Sequence, residues 1–338
     1  MYAQKLETLP PPPGVISALK AGFDVVSSHI LLILMPLVLD VFLWLGPRMS
    51  VSKVLGPLYR SLFEQARRGM ASPEDVRRLT VFQELFHEGL ERFNLLSLAA
   101  RLQTFPIGIS SLLAKTMPVD TPMGDQNIVQ VSSSLAVLGY MLLLIVVGWI
   151  VGGLYFRWVS STVMGERSLV IPPLRAIIQS IILSVVWFFG LIALSIPVML
   201  LLTVLALISP ILVSVALFLM LLASFWLIVP LFFTPHGIFV RGQNAFYSIF
   251  TSFRMARFTL PTSAMFVFST FVLTTGLNYL WSVPKSNSWM TLVGIGGHAF
   301  ITTALLAASF VFYRDMNVWL QKVFEELQQK ASVPARKI

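Results

Sequence analysis

From Ala176 to Val240 the chain runs for 65 residues without an Asp, Glu, Lys or Arg. A helix lying on a water-soluble domain keeps a polar face, so a stretch this long without charge belongs in hydrocarbon. It is about three times the roughly 20 residues needed to cross a bilayer once. Ser209 and Pro210 divide it, and a serine followed by proline is helix-start chemistry, so it reads as two spans joined by a tight turn. The rest of the chain agrees, with 56% hydrophobic and 12% charged residues, where soluble domains carry about 25% charged. The expected fold class is an all-α integral membrane protein: about six transmembrane helices in a bundle, with amphipathic interfacial helices and a helical extracytoplasmic loop.

The expected boundaries are an N-terminal segment 1–24 with an amphipathic helix, a first span 25–45, an external loop 46–131 and a second span 132–156. A loop 157–175 leads to spans three and four at 176–208 and 211–233, then an amphipathic segment 234–260. Spans five and six follow at 261–283 and 289–313, separated by "PKSNS", with an amphipathic tail 314–338. The opening "MYAQKLETLPPPPG" has an acid and four prolines where a signal peptide has a basic and then an apolar region, so the first span is expected to stay as an anchor. The chain has no cysteine, which removes disulfides and thiolate metal sites.

Orientation follows from Lys and Arg on short loops. With the N-terminus inside, 13 of them fall on inner segments and one, Lys285, on the two short outer loops. Arg48, Lys53 and Arg60 after the first span argue locally the other way. The short loops decide, giving a multi-pass protein of the cell membrane with both termini cytoplasmic. Trp44, Trp281 and Trp289 at the outer ends, and Trp158 and Tyr313 at the inner ends, suit aromatic belts. The net charge of +9 is dispersed rather than gathered in a stripe. The expected partners are therefore the lipid bilayer, with anionic headgroups on the cytoplasmic side, and a membrane protein, but not nucleic acid.

"GVISALKAGFDVVSS" sets Val15, Leu19, Phe23 and Val26 against Lys20, Asp24 and Ser27, the pattern of an amphipathic helix. "IPPLRAIIQS" and "GQNAFYSIFTSFRMAR" place similar patterns before the third and fifth spans. Either each pair of spans is one repeated unit with its own interfacial helix, or ordinary spans merely begin amphipathically. In the long loop, Leu55, Leu58, Tyr59 and Leu62 form one apolar stripe, and Leu79, Phe82, Phe86, Leu90 and Phe93 another. Ser72, followed by Pro73, Glu74 and Asp75, marks the start of the second helix. These helices would form an external hairpin or lie on the membrane. "FPIGISSLLA", residues 105–114, is too short to span and reads as interfacial or re-entrant.

Ionisable groups inside a span are costly and by default point to function. Asp40 lies five residues from the outer end of the first span, with Pro36 four residues before it, a position suited to a kink. Asn278 and His298 fall in the outer half of spans five and six. The three could converge on an outward-facing polar pocket with Asp40 as proton acceptor and His298 as its partner; the plainer account gives each an ordinary interhelical hydrogen bond. Gly148 and Gly152 form G-x-x-x-G, which allows close helix packing and more often packs within one chain than between two. Glu84, His87, Glu88 and Glu91 have part of the spacing of metalloprotease and di-iron helices. The second histidine is missing, so a solvated helix face is the simpler reading, with no metal and no cofactor. No catalytic constellation or nucleotide-binding pattern is present. The expectation is a non-enzymatic membrane protein serving assembly, envelope organisation or a larger membrane system. A small-solute or ion-coupled transporter using the outer polar cluster is the alternative.

Overall fold

A computed structural model describes residues 11–70, 72–165 and 171–332. The proline-rich opening to residue 10, and the Lys and Arg of 166–170 and 333–338, lie outside the described residues. The chain is almost wholly helical: α1 (Val15–Ser28), a 3-10 turn (Ile30–Ile33), α2 (Leu34–Leu45), α3 (Ser52–Arg68), α4 (Pro73–Arg92), α5 (Leu95–Gln103) and α6 (Leu113–Thr116) come first. They are followed by α7 (Ser134–Met164), α8 (Pro173–Ile208), α9 (Pro210–Phe232), α10 (Thr234–Arg241), α11 (Ala245–Trp281) and α12 (Thr291–Ser332). Five helices are long and apolar enough to cross a membrane, and a sixth crossing results if the pair Val15–Ser28 and Ile30–Leu45, bent by 97°, counts as one. The molecule is therefore a mainly helical protein whose long apolar helices suit a bilayer.

The expected first span, 25–45, is interrupted by a bend. Ser28 Oγ donates to the Asp24 carbonyl at 2.8 Å and His29 Nδ1 meets the Val25 carbonyl at 3.1 Å. These side chains compete for the last turn's carbonyls, and His29 leaves helical geometry at φ −131°. Val25 to Ser28 thus complete the amphipathic helix, and the helix that carries Asp40 follows the bend. Pro36 then falls in the first turn of α2, where a missing N–H costs nothing, so it introduces no kink below Asp40. Leu31, Leu34, Val38 and Phe42 are exposed along one face of this segment, and Leu32, Pro36, Asp40 and Leu43 are buried along the other.

The chain divides into two compact units. The first holds Met1–Leu32, Phe156–Thr274 and Ile301–Ile338. In it α1 buries Ala18, Gly22 and Val26. A Cβ on Gly22 would run into the Ala304 carbonyl and the backbone of Ala308, so α1 rests directly on α12. Gly22→Leu is expected to lift α1 away. A cysteine placed at Ala18 in this cysteine-free chain should be shielded from maleimide in the parent and labelled in the variant. α8 and α9 form the expected hairpin, with Ser209 Oγ accepting from the Ile211 N–H at 3.3 Å. None of the most apolar stretch of either helix is buried, as suits a surface solvated by lipid tails. His236 is a core residue, its Nε2 bonded to Ser309 Oγ at 2.7 Å among Phe232, Phe233 and Phe310. Tyr313 is buried in the same cluster rather than facing headgroups.

A threefold repeat is not what forms. α8 and α11 run unbroken through their amphipathic starts, α11 as a single helix of 37 residues with Pro261 inside it. Only α1 is set off by a bend, because only there do capping side chains and a non-helical residue interrupt the pattern.

The second unit holds Ile33–Tyr155 and Thr275–Phe300. α3 and α4 make a hairpin whose rings meet at Tyr59, Phe63, Phe82 and Phe86. Ser72 caps α4 by accepting from the Glu74 N–H at 3.2 Å. Two short strands, β1 (Arg48–Ser50) and β4 (Ile128–Gln130), pair in parallel, and β2 (Asp120–Thr121) pairs antiparallel with β3 (Gly124–Asp125). Gln126 Nε2 donates to the carbonyls of Leu43 and Trp44 at 2.9 and 2.6 Å, satisfying groups the end of α2 would leave bare. Trp44 is buried, its indole N–H donating to the Ser286 carbonyl at 2.7 Å, so it is a packing residue rather than part of a lipid-facing belt.

Candidate functional site

Asp40 and His298, polar residues of helices in the second unit, with Asn278 joined through His298, share one neighbour, the segment from Gln103 to Leu113. Its backbone leaves helical geometry after α5 and regains it at α6, yet Ile107, Ile109, Ser111, Leu112 and Leu113 are buried. A buried non-helical segment must find partners for its N–H and C=O groups, and three spans supply contacts.

Asp40 is fully buried. Ser111 Oγ donates to its Oδ1 at 2.5 Å, the Leu112 N–H to Oδ2 at 3.0 Å and the Leu113 N–H to Oδ1 at 3.1 Å. Ser111 Oγ in turn accepts from the Ala114 N–H at 3.0 Å. Together Asp40 and Ser111 satisfy the opening N–H groups of α6, the work an N-cap residue does in water. The carboxylate comes from another helix, so the cap also ties the segment to α2. These hydrogen bonds take the place of the pairing with His298 that the sequence suggested.

His298 Nδ1 lies 2.8 Å from Asn278 Oδ1, and Nε2 lies 3.3 Å from Ser110 Oγ. His298 thus links α11, α12 and the segment at the residue next to Ser111. Asp40 and His298 are brought to adjacent serines of one strand of chain.

Gly148 and Gly152 face the same segment. A Cβ on Gly148 would occupy the place of the Gln103 side-chain amide, and one on Gly152 would lie 2.8 Å from Gly108 Cα and 2.9 Å from the Ile107 carbonyl oxygen. The G-x-x-x-G stripe is used inside the chain. Gly152 lies about 27 Å along α7 from Ser134, at 1.5 Å per residue. The segment therefore lies well along a helix long and apolar enough to cross a membrane, and at membrane depth irregular backbone is tolerated only when wrapped by protein.

Two cavities lie in this unit, one of about 640 Å3 bordered by Arg48, Leu113 and Trp281, and one of about 270 Å3 among Met35, Leu39, Ala100 and Val147. Neither is lined by Asp40, Asn278 or His298. On α4, His87 Nδ1 meets the Tyr59 hydroxyl at 3.0 Å and Nε2 meets Glu91 at 3.2 Å, while Glu88 pairs with Arg92 at 2.9 Å. Both His87 nitrogens are engaged on an exposed face. Among the described residues no group of three His, Asp or Glu is placed to hold a metal ion.

Ser110, Ser111, Gln103 and Gln126 carry much of this arrangement and are inconspicuous in the sequence. The "SS" inside "FPIGISSLLA" is the one available signal, since two hydroxyls in a buried apolar run need partners. No family model, curated protein or solved structure matches the chain.

Proposed function

We propose that this is a non-enzymatic protein of the cell membrane, with both termini cytoplasmic and residues 46–131 outside, in which the 95–116 segment is a re-entrant element entering from the outer face. Its role is that of a membrane-embedded subunit or assembly factor. One observation carries this reading: Asp40, Asn278 and His298 are engaged in holding the segment in place, so the costly polar groups serve architecture. The decisive experiment is copurification of the tagged chain in mild detergent, with a stoichiometric protein partner as the expected result. A chain that purifies alone, and whose Asp40→Asn form keeps its thermal stability but loses a solute flux, would favour transport instead.

Sidedness has its own test. A single cysteine at Met123 should react with an impermeant maleimide added to intact cells, and one at Lys322 should not. The reverse pattern would invert the topology. Transport remains the second reading, supported by the irregular backbone beside α7, because such backbone is tolerated at membrane depth where it lines a path or is packed in protein.

A further inference from the structure

The 640 Å3 cavity of the second unit has Arg48, Glu91, Arg92, Thr116, Asp120 and Trp281 in its wall. Arg48 is only 6% exposed. Its Nη1 donates to the Glu91 carbonyl at 2.7 Å, placing the cation at the carboxyl end of α4, where the helix dipole welcomes it. Its Nε–H is buried without an acceptor, and no carboxylate among the described residues pairs with it. The indole N–H of Trp281, in the same wall, likewise has no acceptor. Buried donors are almost always satisfied, and a buried cation without a counter-charge is costly. Both residues line the same cavity, and two donors left without partners there point to a missing acceptor.

The free Nε–Nη2 edge of a guanidinium is a planar fork that matches two oxygens of one oxyanion. Of the acids around it, Glu88 is compensated by Arg92 at 2.9 Å, Glu91 lies 3.2 Å from His87 Nε2, and Asp120 is exposed. A remaining acid disfavours a multiply charged anion and tolerates a monoanion. Ser286, another wall residue, accepts the Trp44 indole proton, and Trp44 packs edge-on against Trp289 at 5.8 Å. Trp289, 54% exposed just before α12, is placed as tryptophans at headgroup depth are.

We propose that this cavity binds a phosphate group, held by the free edge of Arg48 with the Trp281 N–H as second donor, and that its source is the monoanionic phosphodiester of a phospholipid headgroup. The site stands on the second unit alone and does not depend on which role the protein serves.

The test uses the full chain, stripped of lipid in detergent, with thermal unfolding followed as phosphatidylglycerol or inorganic phosphate is added at matched ionic strength. The parent should be stabilised by phosphatidylglycerol and retain phospholipid through purification. Arg48→Gln should weaken that binding by about tenfold or more, the range expected for a lost charge-assisted bond. Arg48→Lys keeps the cation and can still reach the Glu91 carbonyl, so it guards against a variant that fails to fold; lacking the fork, it should also bind more weakly. Trp281→Phe should weaken binding by a smaller factor. A shift with inorganic phosphate alone would overturn the lipid source. No shift with either probe, or equal binding by the parent, Arg48→Lys and Trp281→Phe, would overturn the site.

Discussion

Asp40→Ala is expected to destabilise the protein by about 3 to 5 kcal/mol, since it leaves three buried donors without an acceptor at about 1 to 3 kcal/mol each, offset in part because a carboxylate is no longer buried. An ordinary interhelical hydrogen bond in a membrane protein is worth about 0.6 kcal/mol, so the size of the effect separates the two accounts of this residue. Asp40 receives three donors, and its removal leaves a hydroxyl and two N–H groups with no acceptor in a buried site. Asp40→Asn sharpens the test. An amide keeps one acceptor oxygen and replaces the other with a donor, which would confront either the Leu112 N–H or the donors now on Oδ1. It should therefore cost about 1 to 3 kcal/mol, the penalty for one buried unsatisfied group, whereas a residue kept only to carry a proton would tolerate the swap structurally. Thermal unfolding in detergent reads the first quantity. Maleimide labelling of a cysteine at Ala114, buried in the parent, reports whether the segment has come loose. An Asp40→Asn protein as stable as the parent, with that cysteine still shielded, would remove the capping role.

The features that bilayer physics imposes locally are legible in the sequence. The uncharged run from Ala176 to Val240 forms a hairpin because hydrocarbon excludes charge and Ser209–Pro210 can start a helix. The α1 pattern and the Ser72 cap are legible for similar reasons, each resting on neighbours a few residues apart. What stays hidden depends on distant parts of the chain. Nothing near Arg48 announces that it pairs with Ile128, and nothing near Asp40 shows that its partners lie about seventy residues on, at Ser111 to Leu113. Asp40, Asn278, His298, Gly148 and Gly152 are all conspicuous, the polar residues because such groups are expensive in lipid and the glycines because their spacing permits contact. Their common neighbour is not, since Ile107 to Leu112 is uncharged, short and without a helical period, with only Ser110 and Ser111 to mark it. Hydropathy marks 105–114 as too short to cross, but only packing against α7 and the bonds to Asp40 account for how its irregular backbone is held.

The glycines of α7 should respond to substitution with opposite signs. Alanine at an open helix position gains about 1 kcal/mol over glycine through backbone entropy. A Cβ placed on Gly139 would meet nothing within 4 Å, so Gly139→Ala should be neutral to stabilising. At Gly148 the obstacle is the end of the flexible Gln103 side chain, which can swing aside at the expense of its buried position, so a modest loss is expected. At Gly152 the obstacles are Gly108 Cα and the Ile107 carbonyl, both backbone, and neither can move without shifting the segment that Asp40 holds from its other side. Gly152→Ala should therefore cost about 1 to 3 kcal/mol as an overpacked contact, and Gly152→Leu should expel the segment and expose the cysteine reporter at Ala114. Size-exclusion mass completes the comparison. Because Gly152 is occupied from within the chain, its substitution should lower stability without changing oligomeric mass, and a loss of a dimer with unchanged protection at Ala114 would assign the stripe to contact between chains instead.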